Sequence, residues 1–161
     1  MNYKTETLSD FTIISDKFLK GSKLNIAFLP ENLNEFEDSA KFIYSESTTD
    51  IKKAFRLNNI SVDYLTCDKP LLRARKSADW FGPTFFIGFS MLAENSTLIN
   101  ISLNVLSNYL YDFFTGNAPS KIVKFEIVVE SKKSKEFQKI TYEGPVQGIN
   151  ELGVVIKQLK K

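Results

Sequence analysis

The charged residues between positions 68 and 79 form a cluster whose types and spacing suit ligand chemistry. Two of the chain's three arginines lie here, and the planar guanidinium fork matches a phosphate or a carboxylate. The cluster follows a predicted strand, and ligand crevices in open α/β sheets form beyond the carboxyl ends of strands. The expected ligand is therefore a phosphorylated small molecule, such as a nucleotide, or a partner's carboxylate. The residues of this predicted site are Asp68, Arg73, Arg75, Lys76 and Asp79.

The same cluster has two structural interpretations. If residues 70–79 are helical, Arg75 and Asp79 are four positions apart and can pair on one face. Arg73 and Lys76 would then share a neighbouring face and hold an anion by charge-assisted bonds. The pairing could instead clamp this connection to the sheet edge. Surface charges are often only solvated, so a solvated connection is the third alternative.

The lack of histidine excludes most common catalytic chemistry. The sequence has no histidine and one cysteine, Cys67. Nucleophile systems built on histidine, histidine general bases and zinc sites are therefore excluded. Glycine-rich phosphate loops are absent as well. No cofactor and no metal site are predicted, and the balance is against an enzyme. The single cysteine fits a reducing, cytoplasmic location.

A short motif at the end of a predicted strand, Glu130-Ser131-Lys132, resembles the E-x-K element of metal-dependent nucleases. The resemblance covers these three residues. Such a nuclease also needs a metal-binding aspartate upstream; Asp112 is a candidate, but the predicted strand order does not fit. Glu126 and Glu130 share a strand face and could bind Mg²⁺ through oxygen, yet that face has the alternation of a solvated hairpin. A nuclease therefore ranks behind the phosphate site.

The polar face of the helix predicted over 96–115 is unusual, because it carries amides and hydroxyls where a solvated helix carries Lys, Glu and Arg. In one interpretation, these groups form hydrogen bonds inside the fold. In the other, they form a partner surface, since interface cores are depleted in charge. The face comprises Thr97, Asn100, Asn104, Ser107, Asn108, Tyr111, Asp112 and Thr115, of which Asn100, Asn104 and Tyr111 are the candidate interface residues.

The rest of this helix is apolar, which predicts burial on most sides. Ser102 lies in the middle of the apolar arc, where a small residue would allow a neighbouring element to approach closely. We therefore expect Ser102→Leu or Ser102→Asp to disturb folding more than Ser107→Asp.

The elements that position these residues alternate between helix and strand, which indicates a single α/β domain over residues 1–161. We expect a mixed sheet of about five strands, with a C-terminal antiparallel hairpin and helices packed on its faces. Strands are predicted near 24–29, 60–66, 84–89, 122–130 and 137–143, with the segment 84–92 open between strand and helix. Helices are predicted near 8–18, 32–43, 50–58, 96–115 and 150–159, with a strand over residues 11–15 as the alternative to the first helix.

These features favour a non-catalytic binding or regulatory protein that acts through a protein–protein surface, with another protein or a second copy of itself as partner. The alternative is a small enzyme or sensor that handles a phosphate or nucleotide through the 68–79 loop. A net charge of +2 gives no strong attraction to nucleic acid. A membrane span is not expected, because Trp80–Ala93 has fourteen uncharged residues against the ~20 that a spanning helix needs.

Overall fold

The computed structural model describes residues 3–8, 26–32, 42–65, 70–74, 80–114, 121–132 and 136–159. Eight strands lie within these residues. They are β1 (Tyr3–Thr7), β2 (Ile26–Leu29), β3 (Ile43–Ser45), β4 (Asp63–Tyr64), β5 (Leu71–Arg73), β6 (Trp80–Ile87), β7 (Ile122–Lys132) and β8 (Glu136–Pro145). Six of them form one sheet in the order β1-β8-β7-β6-β2-β4, and β3 pairs with β5 as a separate parallel ribbon.

The six-stranded sheet is mixed, as the sequence predicts. Strand β6 at its centre runs antiparallel to β2 and parallel to β7. The predicted C-terminal hairpin is confirmed as the antiparallel pair β7–β8. The additional strand is β1, which pairs with β8 at the edge. Its sequence YKTET lacks the apolar alternation by which strands are recognised, because most of its side chains are exposed.

The apolar segment that begins at Trp80 contains both a strand and a helix, the two structures between which its sequence did not decide. Strand β6 covers Trp80–Ile87 and starts earlier than the predicted 84–89. A short helix, α2 (Phe89–Glu94), follows it. Phe85, Phe86 and Ile87 are all buried although they alternate between faces, so this strand is covered on both sides at its end. A strand of that kind reads as a continuous apolar run.

Three other helices complete the described fold: α1 (Thr48–Leu57), α3 (Ser96–Phe114) and α4 (Leu152–Gln158), the last preceded by a 3₁₀ helix (Val146–Glu151). Helix α3 confirms the prediction of a helix over 96–115. It packs its apolar side across the sheet around a small apolar void of about 30 Å³. Ser102 lines this void and donates a hydrogen bond of 2.8 Å to the Leu98 carbonyl. The small side chain at 102 thus lies between the helix and the sheet, as expected.

Several predicted boundaries are wrong. Helix α1 has Ser47 at its N-cap position rather than Asp50. The strand predicted over 60–66 is limited to β4, and Ile43 belongs to β3 rather than to a helix. The last helical segment starts at Val146 as a 3₁₀ helix, before the predicted start at 150. The helix predictions for 9–18 and 33–41 lie outside the described residues.

The described elements share one hydrophobic core, which lies between the sheet and helices α1, α3 and α4. Aromatic side chains connect its layers: Phe85 contacts Phe28, Phe55 and Phe125 with ring centroids 5.7, 6.3 and 6.0 Å apart. None of the helices within the described ranges is long and apolar enough to cross a membrane.

Candidate functional site

Arg73 is the member of the predicted 68–79 site that the structure describes, whereas Asp68, Arg75, Lys76 and Asp79 lie outside the described residues. Arg73 is the last residue of strand β5, so the alternative in which residues 70–79 are helical is wrong at Leu71–Arg73. The residues after Pro70 extend because they pair with β3 in parallel.

The guanidinium group of Arg73 forms an ion pair inside the fold. Its Nη1 atom lies 3.3 Å from Oε2 of Glu31, which follows the end of strand β2. The Arg73 carbonyl also accepts a hydrogen bond of 3.1 Å from the Glu46 amide. Arg73 therefore connects the β3–β5 ribbon to the end of β2. Its side chain is half exposed, so the ion pair itself contributes at most about 1 kcal/mol.

The candidate interface residues of α3 are exposed. Asn100, Asn104 and Tyr111 all face outward, and Tyr111 keeps 40% of its surface accessible. The interpretation in which this face is buried and bonds inside the fold is therefore wrong for these three side chains. The alternative, an accessible surface poor in charge, is the one that fits their positions.

Ser107 departs from the rest of that predicted face. It is 2% exposed, and its hydroxyl oxygen has no hydrogen-bond partner among the described residues. Helix α1 packs against α3, which narrows the solvent-facing side of α3. In the same region, burial together with the charges of Asp50 and Glu46 raises the pKa of Tyr109 to about 12. Because Ser107 is buried as Ser102 is, the expectation that Ser107→Asp disturbs folding less than Ser102→Asp rests on a wrong assignment of the exposed face.

A shallow groove of about 450 Å³ runs between α3 and the C-terminal helices. It is lined by Asn100, Ile101, Asn104, Asn150, Val154 and Lys157. Helices α3 and α4 approach closely at Gly153, where an added Cβ atom would lie 2.2 Å from Oδ1 of Asn100. The glycine thus allows the Asn100 amide to lie directly over α4.

Two exposed apolar side chains that line this groove were not identified as site residues from the sequence. Ile101 is 44% exposed and Val154 is 63% exposed. At about 100° per residue, Ile101 falls on the α3 face that carries Asn104, so its position could have been found. Val154 lies outside the apolar stripe of the last helix, which also indicated exposure. We call the set Asn100, Ile101, Asn104, Tyr111, Val154 and Lys157 the α3–α4 face.

The E-x-K segment has a structural role in the fold. A carboxylate oxygen of Glu130 accepts a hydrogen bond of 2.9 Å from the Phe89 amide, at the start of helix α2. The Ser131 hydroxyl is buried and donates to the Glu136 carbonyl. Carboxylates at this position satisfy amides that have no partner within the helix. In the described part of the chain, no three acidic or cysteine side chains come together as metal ligands.

Two accessible features of the described residues bear most directly on function. One is the α3–α4 face, where Lys157 is the one charged member. The other is a group of paired charges around Arg73 and the sheet surface, including Lys139, which contacts both Glu6 at 3.0 Å and Glu126 at 3.2 Å. No protein-family model, no curated protein and no solved structure matches this chain.

Proposed function

We propose that this is a non-catalytic binding or regulatory protein that assembles with a second copy of itself through the α3–α4 face. The observation that carries the proposal is the exposure of Ile101, Tyr111 and Val154 beside uncharged amides. A solvated helix face normally carries charged side chains. Interface cores instead are depleted in charge and contain aromatic residues. The α3–α4 face has the composition of an interface core.

The dimensions of the face are sufficient for a dimer. Helix α3 has 19 residues and is about 28 Å long at a rise of ~1.5 Å per residue. Neighbouring helix axes lie ~8–10 Å apart, so the layer of α3 with the C-terminal helices is about 20 Å wide. The flat area is then at most roughly 560 Å² per copy and 1,100 Å² for two copies, close to the ~1,000 Å² lower limit of specific interfaces.

The chemistry of the face suits an identical partner. In a twofold dimer, each residue meets the same patch on the other copy. Like charges opposite each other would oppose such contacts, but α3 carries a single charged residue, Asp112, and the α3–α4 face carries only Lys157. An asparagine side chain both donates and accepts hydrogen bonds. Asn104 near the middle of α3 can therefore pair with its own symmetry mate.

The proposal is tested by the mass of the protein in solution, measured by light scattering after gel filtration over a range of concentrations. Wild type is expected to be a dimer. Asn104→Arg and Val154→Arg are each expected to give monomers that remain folded, because both side chains are exposed and each change places two extra charges in the dimer.

The matched control is Leu57→Arg, which places the same charge at an apolar side chain that is 72% exposed and lies outside the α3–α4 face. It should leave the dimer intact. A wild-type protein that remains a monomer at the highest concentration would refute self-assembly. Equal dissociation by Leu57→Arg would show that the contact surface lies elsewhere.

A further inference from the structure

A small cleft opens where strand β6 is irregularly paired with β7. Phe81 lies opposite Lys124 and Thr84 lies opposite Glu126, so two residues of β6 span the place of a single residue on β7. Such bulges bend a strand and re-aim its side chains, and they are frequent beside functional sites. The cleft has a volume of about 220 Å³.

The bulge is fixed by Gly82. An added Cβ atom there would lie 2.2 Å from Cζ3 of Trp80 and 3.2 Å from Cβ of Phe125. The tryptophan ring thus occupies the space that any other residue at 82 would need. Because successive side chains of a strand point to opposite faces, Lys124 and Glu126 lie on the face opposite Phe125, which packs toward α3.

Both carboxylates that line the cleft are held from outside it. Glu31 is paired with Arg73 at 3.3 Å, and Glu126 is paired with Lys139 at 3.2 Å. Neither cation lines the cleft among the described residues. The carboxylates are therefore oriented before any ligand enters, which lowers the cost of ordering them on binding.

Lys124 is the cation among the described residues that line the cleft, and its ammonium is not paired as the two carboxylates are. It forms no ion pair with any described residue, including Glu143, its cross-strand neighbour on β8. Lys124 and Glu126 are two positions apart on one strand face, so their backbone positions are about 6.6 Å apart. Both side chains are long and can spread apart, so a small ligand that carries an ammonium and a carboxylate on one carbon atom can bridge their charged groups through charge-assisted bonds of about 2.8 Å at each end.

We infer that this cleft binds a small zwitterion of the α-amino acid class. The ligand carboxylate binds Lys124, the ligand ammonium binds Glu126 on the Glu31 side, and the ligand side chain packs on Phe81. The volume equals about seven water molecules at ~30 Å³ each. It is below the ~300–1,000 Å³ of pockets for drug-sized ligands, which argues against a nucleotide in this cleft. The site is separate from the α3–α4 face.

The test measures binding of free amino acids to the full-length protein by calorimetry and by thermal shift. An apolar amino acid such as phenylalanine is expected to bind and to raise the melting temperature. Its two halves, phenethylamine and 3-phenylpropionate, each lack one charge and should bind roughly tenfold or more weakly. Lys124→Met should weaken the binding of phenylalanine by a similar factor, whereas Lys124→Arg should bind phenylalanine as wild type does.

The matched control is Lys53→Met, which removes an exposed lysine of α1 far along the chain from the cleft and should bind like wild type. Melting of each variant without ligand shows that it is folded. The inference is overturned if no standard amino acid binds at about 10 mM. It is also overturned if Lys124→Met binds as wild type does, or if phenethylamine binds as tightly as phenylalanine.

Discussion

Replacement of Ser107 by alanine should stabilise the protein. The Ser107 side chain is 2% exposed, and its oxygen has no hydrogen-bond partner among the described residues. A buried hydroxyl without a partner has lost its bonds to water and gained none in exchange. Its removal therefore relieves a desolvation cost of about 1–3 kcal/mol.

Two smaller effects accompany the change. Alanine favours the helix over serine by about 0.5 kcal/mol. The lost oxygen leaves a space of roughly 10–15 Å³, which at ~24 cal/mol per Å³ costs about 0.3 kcal/mol. We expect a net gain of about 1–3 kcal/mol in the free energy of unfolding. For a chain of this size, that gain raises the melting temperature by about 2–12 °C.

The assay is urea unfolding of wild type and Ser107→Ala, followed by circular dichroism. The matched control is Ser90→Ala, the same substitution at an exposed position of helix α2, which should change stability by about 0.5 kcal/mol or less. Ser107→Asp should be strongly destabilising, because it buries a carboxylate. If Ser107→Ala were no more stable than Ser90→Ala, or less stable than wild type, the hydroxyl must have a partner and the reasoning would fail.

Three further predictions concern other parts of the fold. Gly82→Ala should lower the free energy of unfolding by about 1–3 kcal/mol in urea, because its methyl group would overlap the Trp80 ring. Glu130→Ala should lower the free energy of unfolding by about 1 kcal/mol, and Glu130→Gln by less, because the Glu130 carboxylate accepts a hydrogen bond from the first turn of α2. A Glu130→Ala variant with wild-type stability in urea would argue against this role. Burial, aided by the charge of Glu151, raises the pKa of Tyr142 to about 12 from 10.0. The unfolded state therefore releases this proton first, so stability should fall between pH 10 and 12, and melting temperatures of Tyr142→Phe should show a shallower fall over that range.

Long regular patterns were predictable from the sequence. Helix α3 shows its period over 19 residues, and the β7–β8 hairpin shows alternation on both strands. Strand β5 was not predictable, because Leu71, Leu72 and Arg73 are all exposed and extend only through pairing with β3. Local sequence carries no signal for a strand whose cause is a distant partner.

The candidate sites also differ in how far the sequence could predict them. The exposed amides of α3 could be proposed from helical spacing, because one helix determines which side chains share its face. The groove depends in addition on where α4 docks, through Gly153 beneath Asn100. The cleft depends on the register between β6 and β7, two strands separated by two helices, and no pattern within either strand specifies that register.

The pairing of β1 with β8 has a consequence for the order of folding. Tyr3 lies opposite Tyr142 in the register of β1 and β8, so the first described strand to leave the ribosome cannot pair until the last strand has been synthesised. At ~5–20 residues per second, that wait is roughly 10–30 s. The hairpin β7–β8 forms from neighbouring residues and can be complete before β1 closes the long loop to it. During synthesis, the nascent β1 therefore stays exposed, and the charges of Lys4 and Glu6 protect it from pairing with other chains.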